Sequence, residues 1–220
     1  MESLPVPAVT APLLSVVVPV KDEQDNVAEL VAQLLQHAQR YPMEIVFVDD
    51  GSSDRTLEAL RQLRAEHPQV RTIVLKRNWG KSPAMAAGFR AARGQFIITM
   101  DGDLQDDPAE IPKFMEKLQA GYDLVCGWRV ERQDKADKRL PSKLFNWLAG
   151  RTIGTRVHDF NCGFKGYSGS LARHINLYGD MHRYVPVLAS IHGARITEVP
   201  VPTRYFPLAS SASFFQMGPR

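Results

Sequence analysis

Two acidic clusters, each opening from a short apolar run, are where this sequence can do chemistry. Asp101-Gly102-Asp103-Leu104, extended by Gln105 and Asp106, follows Phe96-Ile97-Ile98-Thr99-Met100. A strand that ends in alternating carboxylates holds two anions close together, and such a pair resists full ionisation unless a cation neutralises it. The chemistry expected is binding of a divalent metal, Mg²⁺ or Mn²⁺, because these hard ions take oxygen ligands and share their shell with substrate phosphates. The alternative is a loop whose aspartates only shape a turn. A second run, Glu44-Ile45-Val46-Phe47-Val48, opens into Asp49-Asp50-Gly51-Ser52-Ser53-Asp54. In an open α/β sheet, ligands bind beyond the carboxyl ends of parallel strands, so two strands ending in Asp-rich loops point at one site. Ser52, Ser53 and Asp54 also suit a helix entry, where a hydroxyl or carboxylate satisfies the first free N–H groups.

Those clusters need strands to carry them, and the apolar spacing supplies a regular series. The run 13–20 reads as a buried parallel strand, and 26–39 as a helix with Val27, Leu30, Val31, Leu34, Leu35 and Ala38 on one face. The spacing predicts a strand over 44–48, a helix over 54–66 stopped by His67-Pro68, and a strand over 70–75. A small-residue helix over 83–92, a strand over 96–100, a helix over 108–119 and a strand over 123–126 follow. This rhythm implies an α/β fold: a single domain on a doubly wound, mostly parallel sheet. Later the pattern loosens. It predicts a basic amphipathic helix carried by Leu140, Leu144, Trp147, Leu148 and Arg151, a helix near 171–175 and a strand over 194–201.

With 220 residues and 44% hydrophobic content, the chain can bury one sizeable core. A net charge of +3 is too small to imply a nucleic-acid partner. Positive charge concentrates instead between Gly127 and Arg156. There Arg129, Arg132, Lys135, Lys138, Arg139, Lys143, Arg151 and Arg156 outnumber Glu131, Asp134 and Asp137. Such an excess suits either core packing under a positive surface or contact with an anionic membrane surface. Cys126 and Cys162 lie in no zinc or redox spacing, which suits a reduced cytosolic setting. Residues 1–12, with Pro5, Pro7 and Pro12, read as a disordered lead and not a signal peptide, and 206–220 as a divergent or truncated tail. No window reaches the roughly 18 to 20 apolar residues that span a bilayer. The expectation is a cytoplasmic chain, peripheral at the cytoplasmic face of the membrane, without a transmembrane segment.

The ordered motifs resemble the family 2 glycosyltransferases of the GT-A fold, and among them the polyprenyl-phosphate sugar synthases similar to dolichyl-phosphate mannose synthase. The matching pieces are Ser15-Val16-Val17-Val18-Pro19-Val20 with Glu23 and Asn26, then Val48-Asp49-Asp50-Gly51-Ser52-Ser53-Asp54-Arg55-Thr56, and Arg77-Asn78-Trp79-Gly80-Lys81. They continue with Met100-Asp101-Gly102-Asp103-Leu104-Gln105-Asp106-Asp107-Pro108, Gly127-Trp128-Arg129-Val130-Glu131-Arg132 and Asp159-Phe160-Asn161-Cys162-Gly163-Phe164-Lys165. The match runs unbroken over 13–204, inside a catalytic domain expected at 13–205.

The resemblance implies a nucleoside-diphosphate sugar donor (UDP- or GDP-sugar), a Mg²⁺ or Mn²⁺ ion, a polyprenyl phosphate acceptor and inversion at the anomeric carbon. It implies that Pro19, Val20 and Glu23 line the nucleotide pocket, and that Asp50, with Asp49, hydrogen-bonds the base or ribose. Lys81, Asp101 and Arg204 complete the donor-binding set, while Asp101, Asp103 and Gln105 are the metal candidates. Arg129 and the Lys138/Arg139 pair would meet phosphates, since a guanidinium binds them through paired hydrogen bonds. Asp159 resembles an acceptor-side base, although a lipid phosphate is already anionic and positioning serves it as well. From Phe206 onward the sequence departs from the basic loop usual in lipid-linked members. That departure keeps two other functions open: the same transfer to a saccharide, and a catalytically weak nucleotide-sugar binding module. A homo-oligomer is compatible with all three.

Overall fold

The computed structural model describes residues 11–129 and 157–202. The expected basic helix with Lys138 and Arg139, Arg204 and the 206–220 tail lie outside these residues, as does nearly all of the lead. Strand β1 (Leu14–Val20) is buried at every position because both of its faces are covered. Val16 and Val18 join one apolar cluster, and Val17 joins the other. Helix α1 (Val27–Ala38) lays Val27, Leu30, Val31 and Leu34 on the first face. Then come β2 (Met43–Asp49), α2 (Thr56–Glu66) and β3 (Val70–Val74). Helix α3 (Lys81–Ala91) packs on the opposite face through Ala84, Met85 and Phe89. It starts before Pro83, which is tolerated because the N–H groups of a first turn have no intrahelical partner.

Strand β4 (Phe96–Thr99) leads through a short 3₁₀ turn (Pro108–Glu110) into α4 (Ile111–Gln119) and β5 (Leu124–Arg129). The rest is β6 (Lys165–Ser168), α5 (Gly169–His174), a 3₁₀ turn (Met181–Tyr184), α6 (Val185–Ile191) and β7 (Ile196–Val201). The sheet order is β3-β2-β1-β4-β6-β5-β7. Strands β1 to β4 run parallel, and the register pairs Val20 with Asp49, Asp49 with Val74 and Val17 with Thr99. The C-terminal ends of these strands therefore share one edge. β6 lies antiparallel between β4 and β5, with Lys165 opposite both Thr99 and Cys126. β7 pairs parallel with β5 at the margin.

The expected doubly wound, mostly parallel sheet is present, with three differences in the second half. Lys165–Ser168, read only as the end of a motif, is a strand in the middle of the sheet. The helix near 171–175 sits at Gly169–His174, where the Ser168 hydroxyl accepts from Leu171 N–H at 3.3 Å. Helix α6 lacked any expectation, because seven residues beginning Val-Pro carry too short a period to read.

Candidate active site

The loops after β1, β2 and β3 are laced together by side chain to backbone bonds. Asp22 accepts from Ser53 N–H at 2.6 Å, and Ser52 Oγ accepts from Asp22 N–H at 3.0 Å. Asp49 accepts from Ser52 N–H and Oγ, at 3.0 and 2.5 Å. The two serines thus tie loops together and do not cap α2. Asp54 does that work, accepting from Thr56 N–H at 2.9 Å. Gly51 has φ +71°, and a Cβ there would come within 2.7 Å of the Arg77 carbonyl carbon, so only glycine lets this loop lie against the next.

Asp50 is fully buried, and its oxygens accept from Trp79 N–H at 2.7 Å and Gly80 N–H at 2.8 Å. Both oxygens of Asp50, expected at the base or ribose, hold the turn that starts α3. Asp49 is likewise buried and engaged within its own turn. Pro19 and Val20 close the buried end of β1, where the Val20 carbonyl accepts from Asp50 N–H at 2.9 Å.

The carboxylates meet at the end of β4. Lys81, at the start of α3, forms an ion pair with Asp101. Asp101 N–H donates to Asp106 at 3.1 Å, and Gln105 N–H donates to Asp103 at 3.1 Å. Glu23 is buried at the same place, its carboxylate accepting from the Asn26 amide at 2.6 Å. Burial, with repulsion from Asp103, Asp101 and Asp54, pushes Glu23 up to about 7. Burial and the charges of Asp101 and Asp103 likewise push Asp106 to about 7. Asp103 is raised by burial and by Asp101. Asp101 is the exception: burial acts to raise it, but Lys81, then Lys165 and Arg129, outweigh burial and lower it. The cluster therefore carries more carboxylate than its neighbours neutralise.

A second set of ties holds the segment 157–163 over this cluster. Arg129, at the end of β5, donates to both oxygens of Asp159, at 2.8 and 3.2 Å. Glu198 of β7 accepts from His158 N–H at 2.6 Å and pairs with His158 Nδ1 at 2.6 Å, while the His158 ring stacks on Trp128 at 4.5 Å. Thr99 Oγ1 donates to the Gly163 carbonyl at 2.8 Å. The buried Lys165 ammonium donates to the Phe160 carbonyl at 3.1 Å and also to the Cys162 carbonyl. Gly163 lies flush on the cluster: a Cβ there would stand 2.7 Å from each Asp101 oxygen.

The structure thus gathers Glu23, Lys81, Asp101 and Asp103 at one place and brings Arg129 and Asp159 to the segment above it. Gln105 is exposed and lends its backbone to Asp103. Arg139 and Arg204 lie outside the described residues. Sequence reasoning named Asp106 only as an extension of the acidic cluster and Lys165 only as the end of a motif, and it missed Glu198 and the Ser82–His182 pair. Ser82 Oγ lies 2.9 Å from both His182 Nδ1 and His182 N, and burial beside Lys81 lowers His182 to about 4. For Lys165 the signal available was its place at the end of the Asp159–Lys165 motif.

Among the described residues, no group of three or more His, Cys, Asp or Glu is placed to hold a metal by itself. The donor chemistry nevertheless fits a hard divalent ion that completes its shell with substrate oxygens. Asp101 and Asp103 would supply oxygen ligands, and the carboxylate repulsion that adds to burial in raising Glu23 and Asp106 is what such an ion would neutralise.

Residues 15–176 match the family model described as glycosyl transferase family 2. A dodecaprenyl-phosphate galacturonate synthase of Rhizobium johnstonii is 40% identical over 195 residues, covering 86% of this chain and 58% of its own length. An undecaprenyl-phosphate 4-deoxy-4-formamido-L-arabinose transferase of Edwardsiella ictaluri is 38% identical over 196 residues, covering 87% and 60%. The chain thus spans between 58% and 60% of the length of these curated relatives. Glucosyl-3-phosphoglycerate synthase from Mycobacterium tuberculosis, solved with Mn²⁺ and UDP-glucose, aligns with a TM-score of 0.68 at 18% identity, over 90% of this chain and 73% of that one. A mannosyltransferase from Pyrobaculum calidifontis with GDP-Man and Mn²⁺ aligns with a TM-score of 0.64 at 20% identity, over 87% and 56%. At these identities the two structures share the fold.

Proposed function

Since this chain belongs to glycosyl transferase family 2, we propose that it moves a sugar, with inversion, from a nucleoside-diphosphate sugar to a polyprenyl phosphate. The observation that carries this reading is the gathering of carboxylates at the end of β4, covered by a segment whose Asp159 is held by Arg129 of β5. The named substrates of the 40% and 38% identical relatives support the acceptor class. Asp103 and Asp101, with Gln105 beside them, would hold Mg²⁺ or Mn²⁺. A divalent cation there supplies charge stabilisation for the diphosphate as the sugar departs.

The chain's own groups divide the remaining work. Lys81 lies beside Asp101, where its ammonium faces the same developing charge. Pro19, Val20 and Glu23 form the wall of the donor pocket, and Asp50 holds the Trp79–Gly80 turn that presents Lys81. Asp159 is held by both hydrogen bonds from Arg129, so it orients that guanidinium toward an acceptor phosphate and does not act as a base. An ionised phosphate monoester needs no deprotonation to attack the anomeric carbon. Access to a lipid acceptor places the chain at the membrane surface, peripherally and on the cytoplasmic face. No helix among the described residues is long and apolar enough to cross a membrane.

Incubation with labelled UDP- and GDP-sugars, Mn²⁺ and undecaprenyl phosphate tests the reading. Label should move into the organic phase, and EDTA should abolish the transfer. Label appearing only on an added saccharide would move the acceptor to the second class. Donor binding without transfer to any acceptor would leave a binding module.

A further inference from the structure

Lys165 is a buried cation to which the proposed chemistry assigns no task. It sits in β6 at the middle of the sheet, opposite Thr99 on one side and Cys126 on the other. Its relative exposure is 3%. Burying an ammonium costs several kcal/mol unless its donors are satisfied, and an apolar residue would fill the same space at lower cost. Its donors go to one place: the carbonyls of Phe160 and Cys162, two residues apart in the same segment. An ammonium offers three donors from a single point, so it can gather two neighbouring carbonyls without demanding the plane that a guanidinium requires.

The gathered segment ends at Gly163, whose carbonyl is held from the other side by Thr99 Oγ1 at 2.8 Å. Gly163 has no clearance from Asp101, since a Cβ there would stand 2.7 Å from each carboxylate oxygen. A shift of the segment toward the cluster pushes on Asp101, and a shift away removes one wall of its site. Lys81 forms an ion pair with the same carboxylate. The Asp101 carboxylate is therefore held by an ion pair and bounded by a backbone wall, and the wall depends on Lys165.

We propose that Lys165 is a positioning residue that holds Gly163 against Asp101 and so sets the carboxylate geometry that a divalent cation and a nucleoside diphosphate would share. The inference rests on the donor-site reading given above. Partners one step removed from a metal ligand typically change metal affinity by about ten- to a hundredfold when mutated. Lys165→Met should weaken Mn²⁺-dependent binding of UDP or GDP by about that factor. Binding of the same nucleotide in EDTA should change much less, because among the described residues the Lys165 ammonium bonds to the 160–162 segment. A general loss of structure would lower both. Lys165→Arg, which keeps the charge, should recover part of the loss. Thr99→Val removes the hydroxyl bonds to the Gly163 carbonyl, at 2.8 Å, and to the Lys165 carbonyl, at 3.4 Å, and should weaken the metal-dependent part less. It serves the same test if Lys165→Met does not fold.

Calorimetry with UDP and GDP, with Mn²⁺ and with EDTA, on wild type and each variant decides the matter. Loss confined to the Mn²⁺-dependent part in Lys165→Met or Thr99→Val supports the assignment. Equal Mn²⁺-dependent binding by wild type and variants overturns it alone, and so does a loss equal with and without Mn²⁺. Absence of Mn²⁺-dependent binding in wild type overturns the donor-site reading and this inference together.

Discussion

The half of the sheet from β3 to β4 and the half from β6 to β7 position functional groups by different means. In the first, every strand is parallel, and each carboxylate leaves the C-terminal end of a strand. Asp50 follows β2, Asp101 follows β4, and Glu23 lies just past β1. Strand order alone brings them together, and the loops add short-range bonds. In the second half, β6 runs antiparallel, and the groups above the site belong to a connection, not to strand ends. Side chains of the surrounding strands hold it: Arg129 from β5, Thr99 from β4, Lys165 from β6 and Glu198 from β7. A site made by topology survives the loss of one tie better than a site made by side chains. That contrast separates a side set by fold from a side set by a few polar contacts.

The largest effect expected belongs to Asp101→Ala, because this residue joins the two halves. The change removes the carboxylate that pairs with the Lys81 ammonium, and breaking a buried pair costs about 3–5 kcal/mol, less here because Asp101 is 25% exposed. Thermal unfolding should show a clear loss of stability together with loss of sugar transfer. A variant as stable as wild type would mean that Asp101 does not bridge the halves.

Arg129→Met should act on one side only. It removes the guanidinium that donates to both oxygens of Asp159, which is 6% exposed on its side chain. The acceptor KM should rise by roughly a hundredfold, in line with a loss of about 3 kcal/mol from breaking a charge-assisted contact. Nucleotide affinity should stay as it was. A matching loss of nucleotide affinity would erase the division between the two sides.

Asp159→Asn sharpens the same contrast with a smaller expected change. It keeps size and hydrogen-bonding reach but removes charge and basicity. With a lipid phosphate acceptor, turnover should fall by less than about tenfold, since no deprotonation is needed. A general base would cost about 10² to 10⁴ instead. Steady-state kinetics on undecaprenyl phosphate distinguishes the two.

The smallest effect is the pH dependence of stability in the donor half. Glu23 is pushed from 4.5 up to about 7, chiefly by burial, so the folded chain retains a proton that the unfolded chain releases. Stability linked to a raised folded value is fully present below the unfolded one, about 4.5, and is lost as pH rises through about 7. Asp106 acts in the same direction. In EDTA, Tm should fall between about pH 5 and 8, by about 2–4 °C per kcal/mol lost in a chain of this size. Mn²⁺ should remove most of the fall, because a bound cation replaces the protons. A flat Tm across this range would show that the carboxylates are neutralised by other means.

The same contrast explains what could be read from the chain. Val16, Val17 and Val18 lie in a strand covered on both faces, so an unbroken apolar run marks it, and the Asp-rich ends mark its functional edge. Lys165-Gly166-Tyr167-Ser168 carries neither an apolar run nor an alternation, and becomes a strand only because β4 and β5 offer it two open edges. Asp50 is legible as a functional type, but its hold on the turn before α3 is not. Its partners, Trp79 and Gly80, lie 29 and 30 residues away and contribute backbone N–H groups, which leave no mark in the residue pattern. The Glu198 tie to His158 spans 40 residues and is equally silent.

The central claim is that the carboxylates beyond β4 form a cation-dependent site for a nucleoside diphosphate. Calorimetric titration of UDP and GDP into the wild-type chain and Asp103→Ala, each with Mn²⁺ and with EDTA, tests it most directly. The account predicts that one nucleotide binds wild type more tightly with Mn²⁺ than with EDTA, and that Asp103→Ala removes this difference. Undiminished Mn²⁺-dependent binding in Asp103→Ala would contradict it.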